Sequence, residues 1–90
     1  MPSYLVETYL AHARAGERAA RERRALAAAE ELASGHSSVC FRRSIYIPED
    51  EICFFVFDAS SSRDAALVAE RAGLDPVRIV EAISSEEEER

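Results

Sequence analysis

Ile52-Cys53-Phe54-Phe55-Val56-Phe57 is apolar at every position. A β-strand sends successive side chains to opposite faces of its sheet, so a strand made of these residues is oily on both sides. A chain of 90 residues has room for two helices at most beside such a sheet, and they fit on one face. The other face needs a cover, most simply a second copy of the chain.

Outward from this stretch, the sequence divides into alternating strand and helix patterns. Residues 3–10, Ser-Tyr-Leu-Val-Glu-Thr-Tyr-Leu, are rich in aromatic and β-favouring types and read as a strand. Residues 11–16 read as a loop. From Glu17 to Ala33 the chain is Ala, Glu, Arg and Leu, all strong helix formers. Leu26, Ala29, Leu32 and Ala33 form the expected buried stripe, Glu17 and Arg21 form an i,i+4 pair, and Ser34-Gly35 ends the helix. Val39–Ile47 and Ile52–Ala59 read as a hairpin around the polar loop Pro48-Glu49-Asp50-Glu51. Ser61 is placed to cap a second helix, with Asp64 in the capping-box position. Ala65, Val68, Ala69 and Ala72 repeat at helical spacing up to Gly73. Asp75-Pro76 then turns the chain into a fourth strand, Val77–Ser84.

Composition bounds the function. Apolar residues make up 48% and charged residues 31%, an ordinary balance for one globular domain over residues 1–84, followed by an acidic tail, 85–90, that frays. The net charge of −6 argues against nucleic acid, whose phosphates need a basic surface. All 11 basic residues are arginine, the better bidentate partner for carboxylates. No stretch reaches the roughly 20 apolar residues of a membrane span, and Met1-Pro2-Ser3-Tyr4 does not open a signal peptide. The expected compartment is the cytoplasm, with Cys40 and Cys53 reduced. No Gly-rich phosphate loop is present, and Ser60-Ser61-Ser62 is accounted for by helix capping.

The order β-α-β-β-α-β is the ferredoxin-like arrangement. Right-handed crossovers place both helices on one face of a four-stranded α+β sheet of order 4-1-3-2. Arg43-Ser44-Ile45-Tyr46-Ile47-Pro48-Glu49-Asp50-Glu51-Ile52-Cys53-Phe54, followed by Phe57-Asp58-Ala59-Ser60-Ser61, Glu70-Arg71-Ala72-Gly73-Leu74 and Arg78-Ile79-Val80-Glu81-Ala82, resembles a family of small ferredoxin-like proteins. That family is catalogued mainly as a domain of unknown function, and one branch is described as nickel-binding. The resemblance is close over residues 39–83 and looser over Tyr4-Leu5-Val6-Glu7. It implies the fold, a homodimer closed as an α+β barrel, and an association with nickel.

A four-residue loop at Pro48–Glu51 pairs Ile47 with Ile52, Ile45 with Phe54, Arg43 with Val56 and Phe41 with Asp58. Val39, Phe41, Arg43, Ile45, Ile47, Ile52, Phe54, Val56 and Asp58 then share the open face. Cys40, Arg42, Ser44, Tyr46, Cys53, Phe55, Phe57 and Ala59 share the helix face, where Ser44, Cys53 and Ala59 leave room for helices. In this register Cys40 lies opposite Ala59, about 20 Å from Cys53 at about 3.3 Å per residue. That is far beyond disulfide reach, so both are expected to be separate, buried thiols.

Charged residues on the otherwise oily face are the candidate site. Arg43 and Asp58 follow from the hairpin register. Glu7 and Tyr9 join them if the first strand turns Leu5, Glu7 and Tyr9 to the open side, and Glu81 joins if the fourth strand does the same with Ile79, Glu81 and Ile83. Buried charges need partners, so these residues form either an interfacial ion-pair network or the polar contacts of a small ligand between two sheets. Imidazole and carboxylate suit nickel and zinc. Neither His12 nor His36 belongs to a close ligand pair, and a lone loop histidine is usually just solvated; the nickel association implied by the resemblance makes His12, near Glu7 and Tyr9, the better candidate metal ligand. The rival reading is an α+β barrel enzyme of monooxygenase or isomerase type, using the inter-sheet cavity as active site; it rests on fold analogy.

Overall fold

The computed structural model describes residues 1–35 and 37–85. His36 and tail residues 86–90 lie outside the described residues. The elements are β1 (Ser3–Tyr9), a 3-10 helix (His12–Glu17), α1 (Arg18–Ala33), β2 (Val39–Ile47), β3 (Ile52–Ala59), α2 (Ser62–Arg71) and β4 (Arg78–Ala82). The strands form one antiparallel sheet in the order β2-β3-β1-β4. The fold is ferredoxin-like α+β, with the hairpin boundaries and strand order that the sequence pattern predicts.

Both helices pack on one side of the sheet. Val6, Cys53, Phe55, Phe57 and Ala59 from the strands form one core with Ala25, Ala28 and Ala29 of α1 and Ala65, Val68 and Ala69 of α2. Alanines at the helix contacts let the backbones approach the sheet, and Phe55 and Phe57, both fully buried, fill the space. The Ser61 hydroxyl accepts the Asp64 N–H at 3.2 Å, capping α2. Gly73, at φ 68°, ends α2 in the left-handed conformation that glycine adopts without penalty. Among the described residues no helix is long and apolar enough to cross a membrane.

Four sequence expectations are corrected. The segment after β1 is a 3-10 helix over His12–Glu17 rather than a loop. The buried stripe of α1 runs through Ala25, Ala28 and Ala29, while Leu26 is 48% exposed and Ala33 also faces solvent. Strand β4 is shorter than Val77–Ser84 at both ends. The most consequential correction lies in β2.

The register is as expected from Ile47↔Ile52 to Arg43↔Val56, but it shifts between Arg43 and Phe41. Phe41 therefore pairs with Phe57 rather than Asp58, and Cys40 with Asp58 rather than Ala59. This is a β-bulge: an extra residue on one strand exchanges the two faces of everything beyond it. The bulge exposes Arg42 and Arg43 together, which straight alternation would forbid. It also turns Val39 and Phe41 under the helices, where the Phe41 ring lies 5.3 Å from that of Phe57 and 6.2 Å from that of Phe55. Cys40 moves to the open side and is exposed, so only Cys53 is a buried thiol. Both cysteines are free, as expected. Strand β2 is also a sheet edge, and a bulge with paired arginines is a common guard against edge-to-edge association.

Candidate functional site

The open face is built in rungs. Directly paired residues of neighbouring strands point to the same side, so the register lays out the surface. Arg78, Glu7, Phe54 and Ile45 form one rung. Val80, Leu5, Val56 and Arg43 form the next, then Ala82, Ser3, Asp58 and Cys40. Tyr9, Ile52 and Ile47 close the far end. The centre is apolar, and none of it belongs to the helix-side core. Val56, flanked by Leu5 and Arg43, is nearly covered by its neighbours, Phe54 is half-buried, and Ile45 is 44% exposed.

Among the described residues, two ion pairs cross this surface. Arg78 Nε donates to Glu7 Oε1 at 3.0 Å, joining β4 to β1. The Glu7 side chain is 19% exposed and that of Arg78 is 66%, so the carboxylate is sunk in the apolar floor while its partner reaches over from the sheet edge. At the other end Arg42 lies 3.6 Å from Asp58, which also accepts from Ser3 Oγ at 2.8 Å. Neither pair is the Arg43–carboxylate network expected from the sequence.

Glu7, Tyr9, Arg43 and Asp58 do share one face, as predicted. Glu81 does not. It pairs with Tyr4, whose side chain lies in the helix-side core. Ile79 packs against that same core, and Val80 takes the open side in its place. Both phases of Arg78-Ile79-Val80-Glu81-Ala82-Ile83 place apolar residues on each face, so alternation alone leaves β4 undecided. The phase is set by β1, where Val77 N–H donates to Glu7 O at 2.7 Å and fixes the register that follows.

Sequence reasoning also missed Glu51. It sits in the hairpin loop at φ 54°, a conformation uncommon for residues other than glycine. Its N–H donates to Pro48 O at 3.2 Å and its carbonyl accepts from Leu10 N–H at 2.8 Å. Its carboxylate accepts the His12 N–H at 2.7 Å and the Tyr9 hydroxyl at 3.3 Å. Glu51 thus ties the hairpin to the end of β1, and this explains why both Tyr9 and His12 are held near it. Nothing in the local sequence announces this pairing across the fold.

The metal expectation meets a donor problem. Glu7 is engaged by Arg78, and a cation beside it would have to displace that guanidinium. Among the described residues no three of His, Cys, Asp and Glu converge in a way that could hold a metal ion.

Beneath the sheet, polar groups are paired. Ser44 Oγ donates to Glu22 and accepts from Arg18 Nε at 2.8 Å, and Arg18 Nη2 reaches the Ser44 carbonyl at 3.1 Å. Tyr46 donates to Leu10 O at 2.9 Å, and burial raises its phenol above the ordinary range. Burial likewise pushes the Cys53 thiol up, with Arg18 and Arg21 pulling in the opposite direction.

No family model and no curated protein matches the chain. Among solved structures, the fold matches the crystal structure of SCO4226 from Streptomyces coelicolor A3(2), with a TM-score of 0.68 and 19% identity over 92% of this chain and 98% of that one. The likeness supports the α+β fold described above.

Proposed function

We propose that the protein is a homodimer in which two open sheet faces oppose each other and enclose a small ligand. Glu7 and Arg78 are its central polar contacts, with Tyr9, Arg43 and Asp58 around them. The observation that carries this reading is the uncovered apolar centre, Leu5, Ile45, Phe54 and Val80, on the side of the sheet away from both helices. A two-fold axis would set this patch against itself, and at roughly 25 cal/mol per Å² the burial contributes several kcal/mol.

Glu7 favours a ligand over a filled interface. Dimerisation would strip the remaining water from the Glu7–Arg78 pair, and a fully buried pair contributes little net stability against an apolar substitute. Its place in an oily floor is better explained by a polar group that it holds. Nickel enters this reading as an ion shared by both copies, since among the described residues of one protomer no three His, Cys, Asp or Glu converge. Size-exclusion chromatography with light scattering should give about twice the 10.0 kDa chain mass. A clean monomer at micromolar concentration would overturn the dimer and the enclosed site together.

A further inference from the structure

At the end of the sheet where β1 stops and β4 begins, the 3-10 helix, the start of α1 and the α2–β4 connection border a cleft of about 340 Å³. It is lined by Tyr9, Arg14, Glu17, Arg21, Arg24 and Asp75, with Gly73 and Leu74 behind them. Three guanidinium groups face two carboxylates, a local excess of one positive charge in a chain of net charge −6.

The arginines are held in different ways. Arg14 forks onto Glu17, with Nε at 2.7 Å and Nη2 at 3.0 Å, and this hydrogen bonding keeps the Glu17 carboxyl below its ordinary range. Arg21 reaches the same carboxylate only at 3.6 Å and donates instead to Tyr9 O at 3.1 Å. Arg24 donates through Nε to Ala72 O at 2.9 Å, and among the described residues it has no carboxylate partner. Glu17 thus serves Arg14 first. Arg21 and Arg24 are aimed by backbone carbonyls, which orient a guanidinium while leaving most of its N–H donors unused; Arg21 shares Glu17 with Arg14, and the charge of Arg24 is unpaired among the described residues.

We propose that this cleft binds the phosphoryl group of a small molecule. A phosphate dianion accepts planar N–H forks from several arginines and offsets charge that their mutual repulsion otherwise disfavours. The volume exceeds a bare phosphate and suits a small phosphorylated metabolite. Asp75 at the wall would face its organic part, while Tyr9 borders the cleft through the carbonyl that holds Arg21. The cleft is separate from the open-face reading and is complete within one chain.

The competing account treats Arg24 as a cap on the end of α2 and Arg14–Glu17–Arg21 as surface ion pairs. Calorimetric titration at low ionic strength with inorganic phosphate and, in parallel, glycerol phosphate separates the two. Saturable binding with a dissociation constant of about 1 mM or tighter is expected, weakened about tenfold in Arg24→Gln and in Arg14→Gln. Asp75→Asn should strengthen binding by a few-fold, because it removes a negative charge while asparagine tolerates the φ of 53° at this position. A purely structural role predicts no such gain. Tighter binding of glycerol phosphate identifies an organic phosphate as the ligand, and equal binding identifies free phosphate. No saturable heat up to about 10 mM phosphate, or binding unchanged in both arginine variants, would overturn the proposal. Should Arg24→Gln fail to fold, the largely exposed Arg14 decides the matter alone.

Discussion

The two faces of β3 share one backbone and nearly one composition, yet their surroundings are opposite. Cys53, Phe55, Phe57 and Ala59 are completely buried beneath α1 and α2. Ile52, Phe54 and Asp58, one residue out of phase, remain partly open, and only Val56 on that side is covered, by its neighbours in the sheet rather than by helices. Hydrophobicity therefore does not decide which side of this strand is the core. What decides it is where the chain has helices to spend. The side it can cover becomes the folding core, and the side it cannot becomes the surface on which the proposed assembly and binding rest.

Truncating the covered face should have the largest effect. Phe57→Ala removes a fully buried ring and is expected to lower stability by about 3–5 kcal/mol, read from urea unfolding. A loss below about 1 kcal/mol would mean that the helix side is not the principal core. The open face should respond differently. Phe54→Asp is expected to leave the monomer folded, with unfolding free energy changed by less than about 1 kcal/mol, while weakening self-association at least a hundredfold. If this variant unfolds instead, the two faces are equivalent and the division drawn here fails. If it remains a wild-type dimer, the contact surface lies elsewhere.

The cysteines offer the mildest probe, one on each face. Cys40, turned outward by the bulge, should react with a thiol reagent at once, and Cys53 only as the chain opens. Burial raises the Cys53 pKa in the folded chain, so the unfolded chain gives up this proton first as pH rises. The folded state then binds more protons than the unfolded one, and stability should fall with increasing pH from about 8.5 upward. Cys53→Ala should flatten that slope, and an unchanged slope would assign the alkaline loss to another group.

Much of the fold was legible. The hairpin boundaries, the α2 stripe Ala65, Val68, Ala69, Ala72, the Ser61 cap and the Gly73 stop all follow from local chemistry, because periodicity, capping and positive φ are properties of a few neighbouring residues. The candidate site was legible only in part. Glu7, Tyr9 and Asp58 were found because strand alternation places them, while Arg78 and Glu51 were missed because their partners lie far away in sequence.

What the sequence determined by itself is the set of strands and α-helices and the presence of too much apolar surface for two helices to cover. The tertiary structure alone decided the phase of each edge strand. Phe41 was moved under the helices by a bulge that depends on β3 pairing, and Glu81 was taken off the open face by hydrogen bonds from β1. Alternation states that neighbours point apart; which of them points inward is set by the partner strand, whose register no local stretch of sequence contains.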